Sequence, residues 1–183
     1  MPSWNSRGLR GSALEELINL TNAKYRDKKL ALIQKIPTPI KPINIDKQTR
    51  HITLAYFDEK STVDYIGTVQ GIPICFDAKE CATETFPLQN IHEHQMKFMF
   101  EFEQQGGIAF LLIYFSAKDM FYYLTFKKLQ EYVHRAAAGG RKSFRFSELE
   151  PSYQISTHDG VFVHYLEMLN QDLVSRETEP TSL

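Results

Sequence analysis

Between Asp64 and Lys79, two extended, apolar-rich arms flank Gln70 and Gly71, which are a turn signal. Two such arms around a short turn predict a β-hairpin. Counting back from the turn along both arms places Asp64 opposite Asp77. Because side chains alternate along a strand, Lys79 shares a face with Asp77. The pattern therefore gathers two carboxylates and one ammonium on one side of one hairpin.

The remaining pattern predicts helices and strands on both sides of this hairpin. Four helices are predicted: one from Ser12, one that begins with Asn90 as N-cap and Glu93 three residues later and ends at Gly106-Gly107, one over 126–138 and one over 161–173. Strands are predicted over 30–36, 108–115, 121–125 and 153–156, and a polar loop over 79–87. The continuous apolar run at 108–115 is typical of a central strand buried on both faces. This order predicts an α/β fold, a mixed β-sheet flanked by helices on both faces.

A projecting ribbon is predicted after the first strand. The Pro-Thr-Pro sequence at 37–39 forbids helix and interrupts sheet pairing. From 40 to 58 the chain is extended, and two strands there would form an arm with residues 46–48 near its tip.

Length and composition predict one domain. The chain has 183 residues, 43% of them apolar and 13% aromatic, enough for a sizeable core. We assign residues 1–11 to a flexible basic arm, 12–175 to a single domain with a stalk at about 40–60, and 176–183 to a frayed tail. No apolar run approaches the roughly 20 residues of a membrane helix. Two cysteines, Cys75 and Cys81, lack metal-binding spacing, so we expect reduced thiols in a cytoplasmic protein.

Charge is distributed unevenly. Residues 1–50 carry ten Lys or Arg against four Asp or Glu, residues 51–100 carry three against seven, and the last 33 residues have a balance of −4. A basic segment beside an acidic one suits a nuclease, in which basic groups hold phosphates and carboxylates hold metal. A solvated charged first helix would explain the same distribution equally well.

The hairpin carries the candidate chemistry. Two facing carboxylates repel and raise a pKa unless a cation lies between them, and a divalent metal is the simplest such cation. Metal-bound carboxylates beside a lysine suit phosphodiester hydrolysis, the arrangement of the PD-(D/E)xK nucleases. Alternatively, Asp64 is an exposed strand-end residue and Lys79 only pairs with Asp77 or Glu80. Asp77 interrupts a core strand, and a buried aspartate needs partners.

Other polar residues have structural alternatives. Glu15 could satisfy a backbone N–H in a capping box with Ser12, and Glu16 competes for any chemical role. His92 and His94 resemble a metal pair, but residues two apart on a helix do not face each other, so we predict no metal there.

Ten short stretches follow the order of one known family: Leu14-Glu15, Thr21-Asn22, Pro37-Thr38-Pro39, Ala55-Tyr56-Phe57, Asp64-Tyr65, Phe76-Asp77-Ala78-Lys79-Glu80, Thr85-Phe86-Pro87-Leu88, His92-x-His94-Gln95, Gly140-Arg141-Lys142-Ser143 and Glu148-Leu149-Glu150. Through them the chain resembles the RecU-type Holliday-junction resolvases of Gram-positive bacteria and some of their phages, across roughly residues 5–170. It departs from that family at Asp77, usually Glu, at Val63, usually a hydroxyl residue, and at Ile36, usually basic.

The resemblance implies a metal-dependent, homodimeric endonuclease with a restriction-endonuclease-like core, which nicks two opposed strands of a four-way junction symmetrically. It implies that Glu15, Asp64 and Asp77 bind Mg²⁺, with Mn²⁺ as an alternative. Lys79 would be the catalytic lysine, and Gln95 would lie close to the site.

The resemblance also implies contacts with DNA and with other proteins. The ribbon would be the family's stalk, which enters the junction centre. The DNA-facing residues would be Lys35, Thr38, Lys41, Lys47, Arg50, Arg141 and Lys142. Further implied partners are a second copy of the chain, the host recombinase and a branch-migration motor, at the nucleoid. Two alternative functions stay open: a nuclease for other branched DNA, and a non-catalytic protein that binds junctions or modulates the recombinase.

Overall fold

The computed structural model describes residues 10–57, 62–156 and 162–178, with backbone only for 10–12. Its helices are α1 (Arg10–Asp27), α2 (Glu93–Gln104), α3 (Phe126–Ala137) and α4 (Tyr165–Thr178), and its strands are β1 (Ala31–Lys35), β2 (Ile40–Ile45), β3 (Ile52–Phe57), β4 (Tyr65–Val69), β5 (Ile72–Cys81), β6 (Thr85–Pro87), β7 (Ile108–Phe115), β8 (Met120–Thr125), β9 (Ser143–Arg145) and β10 (Gln154–Ile155). Within these residues, no helix has the length and apolar character that a membrane crossing requires.

The main sheet has six strands in the order β1-β4-β5-β7-β8-β10. β5 and β7 pair in parallel, and the other neighbours pair antiparallel. The predicted central strand is confirmed, since β7 lies between β5 and β8 with seven of its eight residues buried. A strand covered on both faces has no polar side to solvate, which explains its unbroken apolar run.

Helices cover both faces of this sheet. On one face, Tyr165 of α4 packs against Phe76 and Phe110, with ring centroids 5.2 and 5.9 Å apart. On the opposite face, Gln95 of α2 hydrogen-bonds to Asp77, the residue after Phe76 on the same strand. The predicted mixed α/β architecture with helices on both faces is therefore confirmed.

The central hairpin has the predicted turn. Val69 pairs with Ile72, and both turn residues have positive φ, 50° at Gln70 and 88° at Gly71. Two positive φ angles are typical of a type I′ turn, whose twist matches that of the flanking strands. This turn fixes the register, and the register determines which residues face each other farther along the hairpin.

The predicted ribbon is a separate two-stranded sheet of β2 and β3. Its pairing runs from Ile40 opposite Phe57 to Ile45 opposite Ile52. At the tip, the Asp46 carboxylate accepts the backbone N–H of Gln48 over 2.8 Å. Residues 58–60 of the predicted stalk lie outside the described residues.

Several predicted boundaries are wrong. Helix α1 begins at Arg10, so Ser12 lies inside the helix and does not cap it. The N-cap of α2 is His92, and Asn90 belongs to a preceding 3₁₀ turn, Leu88–Asn90. The N-cap and its partner are thus each two positions later than predicted. Gln95, and not Glu93, accepts the backbone N–H of the N-cap residue.

Three further boundaries differ. The predicted loop at 79–87 is partly strand, because β5 extends to Cys81 and β6 pairs with β9. Helix α4 begins and ends later than predicted, so 176–178 of the predicted frayed tail are helical. Positions 10 and 11 of the predicted arm are helical too, while 1–9 and 179–183 lie outside the described residues.

Candidate active site

Asp64 and Asp77 lie opposite each other at the open end of the central hairpin. The last strand pair is Tyr65 with Phe76, and Asp64 precedes it by one residue. The backbone N–H of Asp64 donates to Asp77 Oδ1 over 3.2 Å, and that of Ala78 donates to Asp64 Oδ2 over 2.9 Å. The predicted juxtaposition of the two carboxylates is confirmed.

Asp77 is completely buried, and its two oxygens have different surroundings. Oδ1 also accepts the side-chain N–H of Gln95 over 3.0 Å. Oδ2 lies 2.6 Å from Lys79 Nζ, yet the orientation of that contact leaves Oδ2 without a hydrogen bond. A cation bound at Oδ2 would therefore share this oxygen with the Lys79 ammonium.

The pKa of Asp64 is raised to about 7. Burial is the largest cause, followed by the negative charge of Asp77 and by a hydrogen bond between the two carboxyls. Without a cation, the pair therefore tends to retain a proton near neutral pH. A divalent cation would favour the ionised form of both groups.

Gln95 connects helix α2 to the acidic pair. Besides donating to Asp77, its side-chain oxygen accepts Lys79 Nζ over 3.4 Å and the backbone N–H of His92 over 3.1 Å. The Lys79 side chain is 18% exposed, so its ammonium can reach solvent or a bound anion. The predicted proximity of Gln95 to the site is confirmed, and its amide orients both charged partners.

The surroundings of the pair fit a hard divalent cation. Carboxylate oxygens are the ligands that Mg²⁺ prefers, and hydrogen bonds hold the Asp64 and Asp77 side chains next to each other. Among the described residues, however, no group of three His, Cys, Asp or Glu is arranged to hold a metal ion. The structure thus brings together two of the three predicted ligands, Asp64 and Asp77.

Glu15, the third predicted ligand, lies on α1 and binds a different residue. Its carboxylate is 2.6 Å from Lys35 Nζ. Helix α1 is nevertheless connected to the residue after Asp64, because the Tyr65 hydroxyl donates to the Glu15 carbonyl over 3.3 Å. Burial raises the pKa of Tyr65, and the negative charges of both Glu15 and Asp64 raise it further.

His92 and His94 stack on each other, with ring centroids 5.3 Å apart and planes 11° from parallel. The prediction that these two residues do not face each other is wrong, because His92 precedes the helix with an extended backbone. They form no group of three potential ligands within the described residues, and the prediction that they hold no metal stays a prediction.

The predicted DNA-facing residues are all exposed but occupy three places. Lys41, Lys47 and Arg50 lie on the ribbon or its tip; Lys35 and Thr38 lie at its base; Arg141 and Lys142 lie between α3 and β9. Arg141 also lies 3.4 Å from Glu148.

Two contacts around the ribbon base were missed by sequence reasoning. The Ile36 N–H donates to the Asp64 carbonyl over 2.8 Å, so the chain that enters the ribbon is bonded to the site. The second is the Lys35–Glu15 ion pair. Both depend on the pairing of β1 with β4 and on where α1 packs, for which the sequence carries no local signal.

Comparisons with known proteins agree on one family. A family model described as "RecU: Recombination protein U" matches residues 9–171. The protein named "Holliday junction resolvase RecU" of Bacillus subtilis (strain 168) is 39% identical over 175 residues, covering 93% of this chain and 82% of the relative. The protein of the same name from Lactococcus lactis subsp. lactis is 41% identical over 169 residues, covering 90% and 78%.

Among solved structures, the Holliday junction resolvase Hjc of Archaeoglobus fulgidus matches with a TM-score of 0.39 at 7% identity, over 64% of this chain and 74% of that one. This likeness is too weak to support an argument.

Proposed function

The chain belongs to the RecU family of Holliday junction resolvases, and we propose that it cuts four-way DNA junctions by metal-dependent phosphodiester hydrolysis, leaving symmetric paired nicks. The observation that carries this proposal is the buried Asp77, in contact with the Asp64 backbone and with Lys79 Nζ. A fully buried carboxylate beside a second carboxylate is costly to keep ionised unless a cation lies next to both.

Each residue of the site has a role in this proposal. Asp64 and Asp77, joined by Glu15, would hold Mg²⁺ or Mn²⁺, which when bound supplies an activated water and offsets negative charge on the reacting phosphate. Lys79 keeps a fixed positive charge beside Asp77 and can orient a phosphate oxygen. Gln95 holds Asp77 Oδ1, which leaves Oδ2 directed away from the amide.

The ribbon supports a branched substrate. It is a two-stranded arm with Lys41, Lys47 and Arg50 exposed along it, and its base is bonded to Asp64 through Ile36. A nuclease for plain duplex gains nothing from an arm that projects beside its site. We infer that the arm enters the junction centre, where its basic residues contact phosphates.

We also propose that the enzyme acts as a homodimer. Two coordinated cuts on a two-fold symmetric substrate call for a two-fold symmetric enzyme. An isolated two-stranded ribbon is marginally stable in water, and this one exposes seven large apolar side chains: Ile40, Ile43, Ile45, Ile52, Leu54, Tyr56 and Phe57. A second copy packed against them would remove that apolar surface from water.

The test is incubation with a synthetic immobile four-way junction and a matched duplex, each with Mg²⁺ and with EDTA. Paired symmetric nicks on the junction alone, and only with metal, are expected. Tight junction binding without cleavage in Mg²⁺ or Mn²⁺ would contradict the proposal and favour a protein that binds junctions without cutting them.

A further inference from the structure

Lys35 and Glu15 form an ion pair beside the acidic site. The Lys35 ammonium is 2.6 Å from the Glu15 carboxylate, and both side chains are partly exposed, 41% for Lys35 and 31% for Glu15. The pair joins the end of β1 to α1 just where the chain turns toward the ribbon. Glu15 is thereby neutralised by a residue that solvent, and hence DNA, can reach.

Glu15 and Lys35 both lie next to the chain segment that carries Asp64. The Tyr65 hydroxyl donates to the Glu15 backbone carbonyl, Lys35 pairs with Tyr65 in the sheet, and the Ile36 N–H donates to the Asp64 carbonyl. Release of Glu15 from Lys35 is inexpensive, because partly exposed ion pairs contribute little. The Asp77–Lys79 contact is different, since Asp77 is fully buried and Lys79 mostly so.

We propose that Lys35 is a positioning residue that couples DNA binding to metal binding: a DNA phosphate competes with Glu15 for the Lys35 ammonium, and the released Glu15 carboxylate then joins Asp64 and Asp77 around the metal. This inference rests on the proposed function, in which all three acids hold the cation. In the DNA-free protein, Lys35 and the metal compete for one carboxylate, so metal affinity is lower than in the DNA complex. By linkage, metal binding raises the affinity for DNA by the same factor.

The first experiment is a double-mutant cycle that measures the Mn²⁺ affinity of the full chain without DNA, by electron paramagnetic resonance of the free ion. Its four proteins are the wild type, Lys35→Met, Glu15→Gln and the double mutant. We expect Lys35→Met to raise Mn²⁺ affinity about twofold to fivefold, the range that partly exposed ion pairs contribute. Glu15→Gln should lower the affinity, and Lys35→Met should then add nothing in the Glu15→Gln background.

A matched control separates competition from general electrostatics. Lys28 is exposed in the turn after α1, so Lys28→Met removes the same charge and should leave Mn²⁺ affinity unchanged. An equal gain from Lys28→Met, or a gain from Lys35→Met that persists without Glu15, would overturn the proposal. So would a Glu15→Gln protein with wild-type Mn²⁺ affinity.

The second experiment measures junction affinity in EDTA against salt concentration. Loss of one phosphate contact reduces the slope of log affinity against log salt by about one, and we expect this for Lys35→Met. An unchanged slope would show that no phosphate takes the ammonium and would overturn the proposal. Neither readout requires cleavage, so the proposed resolvase activity is judged separately, by junction nicking with the wild-type protein.

Discussion

The Asp64 N–H donates to Asp77 Oδ1 across the open end of the β4–β5 hairpin, over 3.2 Å. The backbone of Asp64 thus holds the Asp77 carboxylate, and a single turn fixes the register that places the two residues opposite each other. The contact fixes the spacing of the two carboxyls, and the pKa of Asp64 is raised by burial and then by repulsion from the negative charge of Asp77. A cation between them would convert that repulsion into attraction.

Replacement of Asp77 by Asn tests the site directly. The amide keeps the volume and one oxygen for Gln95 and for the Asp64 N–H, but it loses the negative charge. We expect junction cleavage to fall at least about a hundredfold, with junction affinity in EDTA unchanged within about twofold. The exposed Asp27→Asn variant should cleave like the wild type. Cleavage by Asp77→Asn or Asp77→Ala in Mg²⁺ would refute the assignment.

The raised pKa of Asp64, about 7, predicts a pH dependence. An aspartate in the unfolded chain titrates near 4, so between about pH 4 and 7 the native state binds more protons than the unfolded state. The contribution of Asp64 to the stability of the metal-free protein should therefore fall as pH rises through this window. Thermal unfolding in EDTA checks this, and Asp64→Asn should show a flatter profile. Identical slopes for the two proteins would contradict the prediction.

Metal binding should show the opposite trend. The cation requires an ionised Asp64, so Mn²⁺ affinity should fall, by up to about tenfold per unit, as pH drops below 7. Titration calorimetry in buffers with different heats of ionisation would count the protons released. No proton release at pH 6 would exclude Asp64 as the protonated partner.

Gln95→Leu removes the amide that orients both Asp77 and Lys79. We expect a loss of cleavage of about tenfold to a hundredfold, the usual cost of removing a group that orients metal ligands. The loss should lie in the turnover rate rather than in junction affinity, since Gln95 is buried. Gln104→Leu, at the exposed end of the same helix, serves as control. Equal effects of the two variants would indicate general damage to α2.

The ribbon charges should govern salt dependence. Changing Lys41, Lys47 and Arg50 together to Gln is expected to weaken junction binding and to reduce its salt slope by up to about three. The control variant changes Lys28, Lys97 and Lys118 to Gln, so that its net charge falls by the same amount as in the ribbon variant. Unchanged junction affinity at every salt concentration would remove the ribbon from the DNA interface.

The apolar side chains of the ribbon should govern self-association. Light scattering after size exclusion is expected to give a dimer for the wild type and a lower mass for Leu54→Ser with Phe57→Ser, because about 1–3 kcal/mol is lost per buried side chain removed. Val174→Ser, at a position on α4 that is as exposed as Leu54, should stay dimeric. A monomeric wild type would contradict the homodimer.

Local patterns were sufficient for the elements that carry the site. The Gln70-Gly71 turn, the apolar-rich arms around it and the unbroken apolar run of β7 are short-range signals, and each predicts an element whose geometry is nearly fixed. Since a two-residue turn sets the register, counting along the hairpin was enough to place Asp64 opposite Asp77. The sequence also predicted the ribbon, because proline and extended residues exclude the alternatives.

Long-range packing decided the rest. Glu15 lies about fifty positions from Asp64 along the chain, and its pairing with Lys35 depends on where α1 packs against β1. The cap of α2 is His92 rather than Asn90 because Gln95 is drawn into the site by Asp77. The sequence by itself therefore determined the hairpin, the acidic pair and the fold class, since those follow from neighbours along the chain. Only the tertiary structure decided which partner each charge has, because opposite charges pair according to distances in space that no local pattern encodes.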